Sequence, residues 1–272
     1  MELTATDLLA HKNTVHVLIF VVGILALLVI ERFFPRRPFY FSRMVRILNN
    51  LGLSFLNNIL LQVAFPFLAV GAGFFAVKNG WGLFQVWAGP GWLELILGLL
   101  LLDVLIYGQH VAFHLCPPLW RLHRVHHADL DLDVTTGIRF HPLEILLSMG
   151  LKIGFILLLG TPPLTVFLFE LILMVCSMFN HANLNIPVAW DRCIRLVLIT
   201  PDMHRVHHSL HRSETNSNFG FSVPWWDRLF HTYKAQPQDG HLHMRIGIEL
   251  FRSPRWLILH RLLIEPFLNR KK

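Results

Sequence analysis

Five apolar runs constrain this chain of 272 residues more than any other feature. They cover about 14–34, roughly 51–77, about 92–111, and the two halves of 143–180, which Gly160-Thr161-Pro162-Pro163 divides. A run of about 20 apolar residues crosses the hydrocarbon core of a bilayer as a helix. The composition agrees: 54% of residues are hydrophobic and 15% charged, too apolar for an ordinary soluble domain. The expected fold is all-α and integral to the membrane. It has four to five transmembrane or re-entrant helices and a cytoplasmic helical cap. The halves of 143–180 are at the short limit for spanning, so they either cross or form a re-entrant hairpin, and both options return the chain to the side it left. Pro66 is expected to kink the second run.

The first run reads as a retained anchor, with Met1 outside and 32–46 inside, because its positive flank follows it. The net charge of +7 collects at Arg32, Arg36, Arg37, Arg43 and Arg46, and again at Arg270, Lys271 and Lys272. Arginines beside spans mark the cytoplasmic side. The aromatic residues lie inside apolar runs and do not interleave with the basic ones, so a nucleic-acid surface is not expected. Residues 1–91 are expected to supply membrane spans, and 92–272 one catalytic unit with its cap. The segment 253–268 reads as a helix lying in the interface, or else packed on the cap. Cys116, Cys176 and Cys193 form no disulfide or zinc-ribbon pattern and read as reduced and packed.

Three histidine clusters interrupt this apolar background. They are His110-Val-Ala-Phe-His114, His123-Arg-Val-His126-His127 and His204-Arg-Val-His207-His208. Residues three and four apart share one helix face, and neutral imidazole is the commonest metal ligand. One ion takes about four to six ligands, so these eight imidazoles suggest two ions. His181 ends the fifth run and should emerge on the same face, which makes it a plausible ninth ligand. The spacing does not choose among zinc, copper, iron and nickel. His11, His16, His231, His241, His243 and His260 read as ordinary surface or packed residues, while His141 and His211 are left open.

Between about 103 and 233 the chain resembles the fatty acid hydroxylase/sterol desaturase superfamily, membrane-bound oxygenases with histidine boxes. The resemblance rests on Asp103 and Tyr107 ahead of His110-x-x-x-His114 and on Leu119-Trp120-x-x-His123-Arg-Val-His126-His127. It continues through Arg139-Phe-His141-Pro-Leu-Glu144, His181-Ala-Asn183 and His204-Arg-Val-His207-His208, and closes on Asn218-Phe-Gly220 and Trp226-Asp-Arg-Leu-Phe230. It implies two iron ions held by His110, His114, His123, His126, His127, His181, His204, His207 and His208, with zinc possible in purified protein. It also implies O2 as co-substrate and a lipid C–H bond as target for hydroxylation or desaturation. The family often has a further polar ligand one turn before the His181 equivalent. Here that residue is Ser177, which would leave room for water.

Several other residues invite a role from position alone. Asp103 lies two turns before His110 and is expected to accept an imidazole N–H. Glu170, inside the fifth run, invites the same reading. Glu144 is accounted for as a first-turn acid after Pro142. Arg139 reads as headgroup-facing and Asp202 as a helix cap. No dinucleotide fingerprint, iron–sulfur cysteine cluster or haem motif is present. A separate electron donor is therefore expected: a ferredoxin, a cytochrome b5-like protein or a reductase. Rival readings are a membrane metal transporter, which would place its ligands near the midplane, and a membrane zinc hydrolase. The latter would need a carboxylate base beside its ligands.

Overall fold

The computed structural model describes residues 5–86 and 89–268. The expected basic end, Arg270 to Lys272, and Met1 lie outside the described residues. After a short turn of helix, α1 (Ala5–Ala10), the chain runs through α2 (Lys12–Phe33), α3 (Arg43–Ala64), α4 (Ala69–Asn79) and α5 (Gly91–Leu115). It continues with α6 (Pro117–His127), α7 (Pro142–Leu159), α8 (Pro163–His181), α9 (Val188–Ile194) and α10 (Pro201–His207). Four shorter helices follow: α11 (Arg212–Thr215), α12 (Trp225–Leu229), α13 (Gly240–His243) and α14 (Leu259–Ile264). Among the described residues the only β pairing is two isolated bridges, Pro35 with Leu184 and Ser209 with Ile246. The chain is all-α and integral to the membrane. Among the described residues five helical segments are long and apolar enough to cross it, with α3 and α4 counted together.

Proline and glycine set the boundaries. The segment around Pro66 does more than kink the second run: α3 stops at Ala64 and α4 restarts at Ala69. Pro117 and Pro118 end α5 and open α6, where a missing N–H costs nothing. Gly160, at φ +69°, closes α7 in the left-handed conformation that a side chain resists. The chain then turns straight into α8, forming the expected hairpin.

α4, α5, α7 and α8 enclose the main core, with Leu102, Ile106, Ile156, Val166, Phe167 and Phe169 buried at its centre. α2 lies outside it. Ile24 and Glu31 are its only buried residues among those described, and Val17, Leu18, Val22 and Leu25 face outward, as suits a helix against lipid.

The basic stretch after α2 is not a simple headgroup flank. Arg46 is fully buried. It holds Asp129 through Nε (2.7 Å) and Nη2 (2.9 Å), and Asp133 through Nη1 (2.6 Å). Arg36 pairs with Asp202 (3.1 Å), Arg43 with Glu31, and Arg37 donates to the carbonyls of His241 (2.5 Å) and Met244 (2.8 Å). Arg36, Arg37 and Arg46 bind the spans to the cap, and Arg43 ties α3 to α2. Arg139 is likewise fully buried, donating to the Val125 carbonyl (2.8 Å) and to Asn50 (3.3 Å), so the headgroup reading of it fails.

The segment 253–268 is not one interfacial helix. Pro254 and Pro266 break it into a turn (Pro254–Leu257), α14 and a second turn (Glu265–Phe267). Leu262 packs with Leu53 and Val125, and Arg121 and Arg124 bind the carbonyls of Pro266 (2.7 Å) and Glu265 (2.5 Å). The tail thus braces α6 from behind. Cys116 and Cys193 are exposed and Cys176 half-buried, contrary to the expectation of three packed thiols.

Candidate metal centre

Four helices that open at or just after a proline put the histidines in place, the long α5 and α8 at their ends and the short α6 and α10 along their length. His110 and His114 occupy the last two turns of α5. His123, His126 and His127 lie on α6, His181 ends α8, and His204 and His207 lie on α10, with His208 just after it. Thr200 caps α10, its hydroxyl accepting from the Met203 N–H (3.3 Å). All nine imidazoles are buried. They fall into two groups: His110, His114, His123, His127 and His207 in one, and His126, His181, His204 and His208 in the other. Within each group one ring nitrogen per residue lies within 4.8 Å of the others. The His127 and His208 rings stack at 4.5 Å and join the groups.

The outer nitrogens fix the ring orientations. His110 Nδ1 donates to the Phe219 carbonyl (2.6 Å), His207 Nδ1 to Ser217 (2.7 Å) and His181 Nδ1 to Ser177 (2.7 Å). A carbonyl only accepts, so each of these rings carries its proton on Nδ1 and presents a bare Nε2 inward. His123 Nδ1 meets the Glu144 carboxylate at 2.6 Å. The Nε2 atoms of His110 and His123 face each other at 3.1 Å. With the His123 proton on Nδ1, both are bare acceptors, and a cation between them would satisfy both. Nitrogens about 2.1 Å from one ion, at right angles, are separated by about 3 Å. His181 Nε2 stands 3.1 Å from His126 Nε2 and 3.0 Å from His204 Nε2 in the second group.

Further ring nitrogens, including both of His127 and of His208, are buried with no hydrogen-bond partner among the described residues. Burial, reinforced by the neighbouring imidazoles, holds His126, His127, His204, His207 and His208 well below the ordinary histidine range, and burial lowers His123 to about 3. The rings are therefore neutral, the form that ligates. A cluster of neutral, orphaned imidazoles fits divalent metal ions and little else.

Asp103, Glu170 and Asp202 depart from the sequence expectation, while Ser177, His141 and His211 take partners the sequence had left open. Asp103 accepts from the Trp226 indole N–H (2.7 Å) and touches no imidazole. Glu170 pairs with Lys152 across the hairpin (2.9 Å). Ser177 donates to the Gly137 carbonyl (2.9 Å). A Cβ on Gly137 would stand 2.6 Å from the Ser177 carbonyl oxygen, so only glycine allows that turn to approach α8. Asp202 does not cap α10; it binds Arg36 and Arg205. His141 caps α7, accepting from the Leu143 N–H (3.2 Å), and His211 pairs with Asp239 (2.7 Å) near the surface.

Two contributors were not read from the sequence. Glu144 orients His123. Asp227 takes the N–H groups of Phe219 (2.7 Å) and Gly220 (2.9 Å), which aims the carbonyls that hold His110 and His207. Replacing Glu144 by Gln keeps the shape but weakens the acceptor for His123 N–H. Metal affinity is expected to fall by about 10–100-fold, read by competition with a chromophoric chelator. An unchanged affinity would leave Glu144 as a packing residue.

Two cavities reach the histidines. One, about 270 Å³, starts at His110, His123 and Glu144 and runs along α7 and α8 between Phe113, Phe140, Ile145, Met174 and Phe221. The other, about 370 Å³, opens on the cap at Trp120, Arg212 and Asn216 and ends at His114. The Trp120 ring lies 5.0 Å from His114 and 5.4 Å from His127.

A sequence model described as fatty acid hydroxylase matches residues 95–232, about half of the chain and all nine histidines. The chain is 31% identical over 150 residues to the ornithine lipid hydroxylase OlsE of Rhizobium tropici, covering 55% of this chain and 44% of that one. It is 31% identical over 139 residues to the Homo sapiens cholesterol 25-hydroxylase, covering 50% of each. It is 27% identical over 165 residues to the Caenorhabditis elegans alkylglycerol monooxygenase, covering 60% of this chain and 31% of that one. The matched region spans half or less of these relatives' length. No solved structure matches.

Proposed function

The chain belongs to the fatty acid hydroxylase family, and from that premise we propose that it is a membrane-bound oxidoreductase. In this reading it hydroxylates or desaturates a C–H bond of a membrane lipid using O2. The observation that carries the reading is the pair of buried histidine groups at the end of an apolar cavity. Each group holds one ion. Iron is the metal in the working protein, and zinc is an alternative occupant after purification because imidazole suits both. When bound, the irons supply the oxidising power, drawn from O2 and external electrons, that an unactivated C–H requires.

The protein's part is orientation and exclusion. Phe113, Phe140, Ile145 and Phe221 keep water from the lipid chain and point it at the His110–His123 wall. The catalytic unit is 92–272, which carries all nine ligands, and 1–91 adds spans. The named substrates of the relatives are a sterol, an ornithine lipid and an alkylglycerol, so the substrate here is taken to be an amphiphilic lipid. Electrons come from a separate donor that docks at the cap over the Trp120 cavity, beside the exposed Arg212. The cap and the C-terminal end face the cytoplasm. Exposed Arg192, Arg212, Arg228 and Arg245 on the cap support that orientation.

The rival transporter would need its ligands near the midplane, whereas these cluster where α5 and α8 end. The test supplies iron-loaded protein, a reductase–ferredoxin pair, isotopically labelled O2 and a lipid panel. A labelled oxygen atom in a product, or a new double bond, is the expected result by mass spectrometry. Cleavage of a lipid with oxygen taken only from water would overturn this reading in favour of a hydrolase.

A further inference from the structure

The apolar cavity ends in charge. Lys152 of α7 and Glu170 of α8 line its far wall, joined at 2.9 Å, and their side chains are 11% and 17% exposed. His16 of α2 lines the same end, within electrostatic reach of both. A charged pair inside membrane-spanning helices is costly and usually functional. It is not the only tie between the two helices, which the Gly160 turn and a core shared with α4 and α5 also hold. An ammonium has three donors and a carboxylate accepts at both oxygens, so one mutual contact uses only part of each.

Partway along, Gln109 donates to Ser148 (2.8 Å), and its Oε1 is buried with no hydrogen-bond partner among the described residues. The cavity thus has a metal-facing end, a middle of apolar walls interrupted by the Gln109–Ser148 pair, and a charged far end. Glu144, Ser148 and Lys152 recur every fourth residue of α7 and trace its length. At 1.5 Å per residue, Lys152 lies about 12 Å along the helix from Glu144.

We infer that the Lys152–Glu170 pair is the headgroup subsite for a neutral lipid alcohol, whose hydroxyl it holds while the chain extends toward His110 and His123. This rests on the lipid-oxidising reading above and names its substrate class. A hydroxyl donates to the Glu170 carboxylate and accepts from the Lys152 ammonium, leaving the pair intact and the site neutral. A fatty acid carboxylate would bring a second negative charge beside Glu170 in a low dielectric. An alkane would leave the polar end unmatched. Fixing the hydroxyl fixes which carbon reaches the metal end, so the pair sets the position of attack.

The test is equilibrium binding to the full chain, purified in detergent and loaded with zinc so that no turnover occurs. Labelled hexadecanol is the probe, with hexadecanol, hexadecane and hexadecanoate as competitors. In wild type, hexadecanol is expected to compete at least about tenfold better than either analogue, as for sites that hydrogen-bond a hydroxyl. Lys152→Met/Glu170→Leu replaces the pair by apolar groups of similar size, a change a fold tolerates. That variant should still bind hexadecane and lose the preference for the alcohol. A wild-type preference for hexadecanoate, no preference, or a preference that survives in the double variant would each overturn the inference. Because binding alone is read, failure to oxidise any lipid would sink the proposed function without touching this result.

Discussion

Iron-loaded, detergent-purified protein is expected to carry about two ions per chain, and paired substitutions should remove them separately. His110→Ala/His114→Ala leaves three of the five imidazoles in the first group, and His181→Ala/His204→Ala leaves two of the four in the second. Each double variant should fall to about one ion per chain, because the other group keeps its ligands. His127→Ala/His208→Ala takes one ring from each group and removes the stack that joins them. It should fall further, to below about one. Elemental mass spectrometry on the folded, monodisperse fraction reads all four. Wild type with no stoichiometric metal after loading with iron or zinc would end the dinuclear reading. Loss of both ions in each of the first two variants would mean that the groups act as one site.

The second large effect is on stability. Arg46→Met should lower stability by about 3–5 kcal/mol, the cost of breaking a buried ion pair from one side. For a chain of this size that is a fall of about 10 °C in the thermal midpoint. Arg46→Lys should not restore it, because one ammonium cannot span Asp129 and Asp133 as the guanidinium fork does. The pH dependence separates this from simple packing loss. Burial alone would raise the Asp129 carboxyl, but the charges of Arg46 and Arg139 and its hydrogen bonds outweigh that and hold it at about 2. A depressed carboxyl contributes stability that is present above its unfolded value and lost as pH falls through about 2. In Arg46→Met, Asp129 loses its main counter-charge and its pKa rises. The variant's deficit should then be largest near neutral pH and shrink on acidification toward about 4. Equal midpoints for wild type and variant across that range would refute the clamp.

The spans and the histidine boxes were legible in the sequence because each is written in local spacing. Apolar length and flanking prolines place α5, α7 and α8 to within a few residues, and i, i+3 and i+4 spacing puts the imidazoles on shared faces. What failed was partnership across distance. Arg46 looks like a headgroup-facing charge until Asp129, 83 residues away, is placed beside it. Asp103 has the helical phase to meet His110, but the indole of Trp226, 123 residues on, takes it first. Glu144 was passed over because its first-turn position already explained it, and the bond to His123 crosses an irregular segment with no period. The carbonyls of Ser217 and Phe219 are main-chain atoms, which the sequence cannot mark. Asp227, which holds Phe219 and Gly220, could have been suspected from the Trp226-Asp227-Arg228 block, yet its purpose emerges only from the loop it grips.

The clamp at Arg46 also bears on how this molecule can come into being. The residue sits in the first turn of α3, emerging early from the ribosome, while its carboxylate partners follow directly on α6. Arg139 shares the charge of Asp129 from within 92–272, but the two-carboxylate fork is made by Arg46. A fragment starting at Gly91 would hold every imidazole and still lack the guanidinium that joins Asp129 to Asp133, just after the second histidine box. The leading spans thus supply part of the wall behind the second histidine box, and the two halves of the chain are one structural unit at that point.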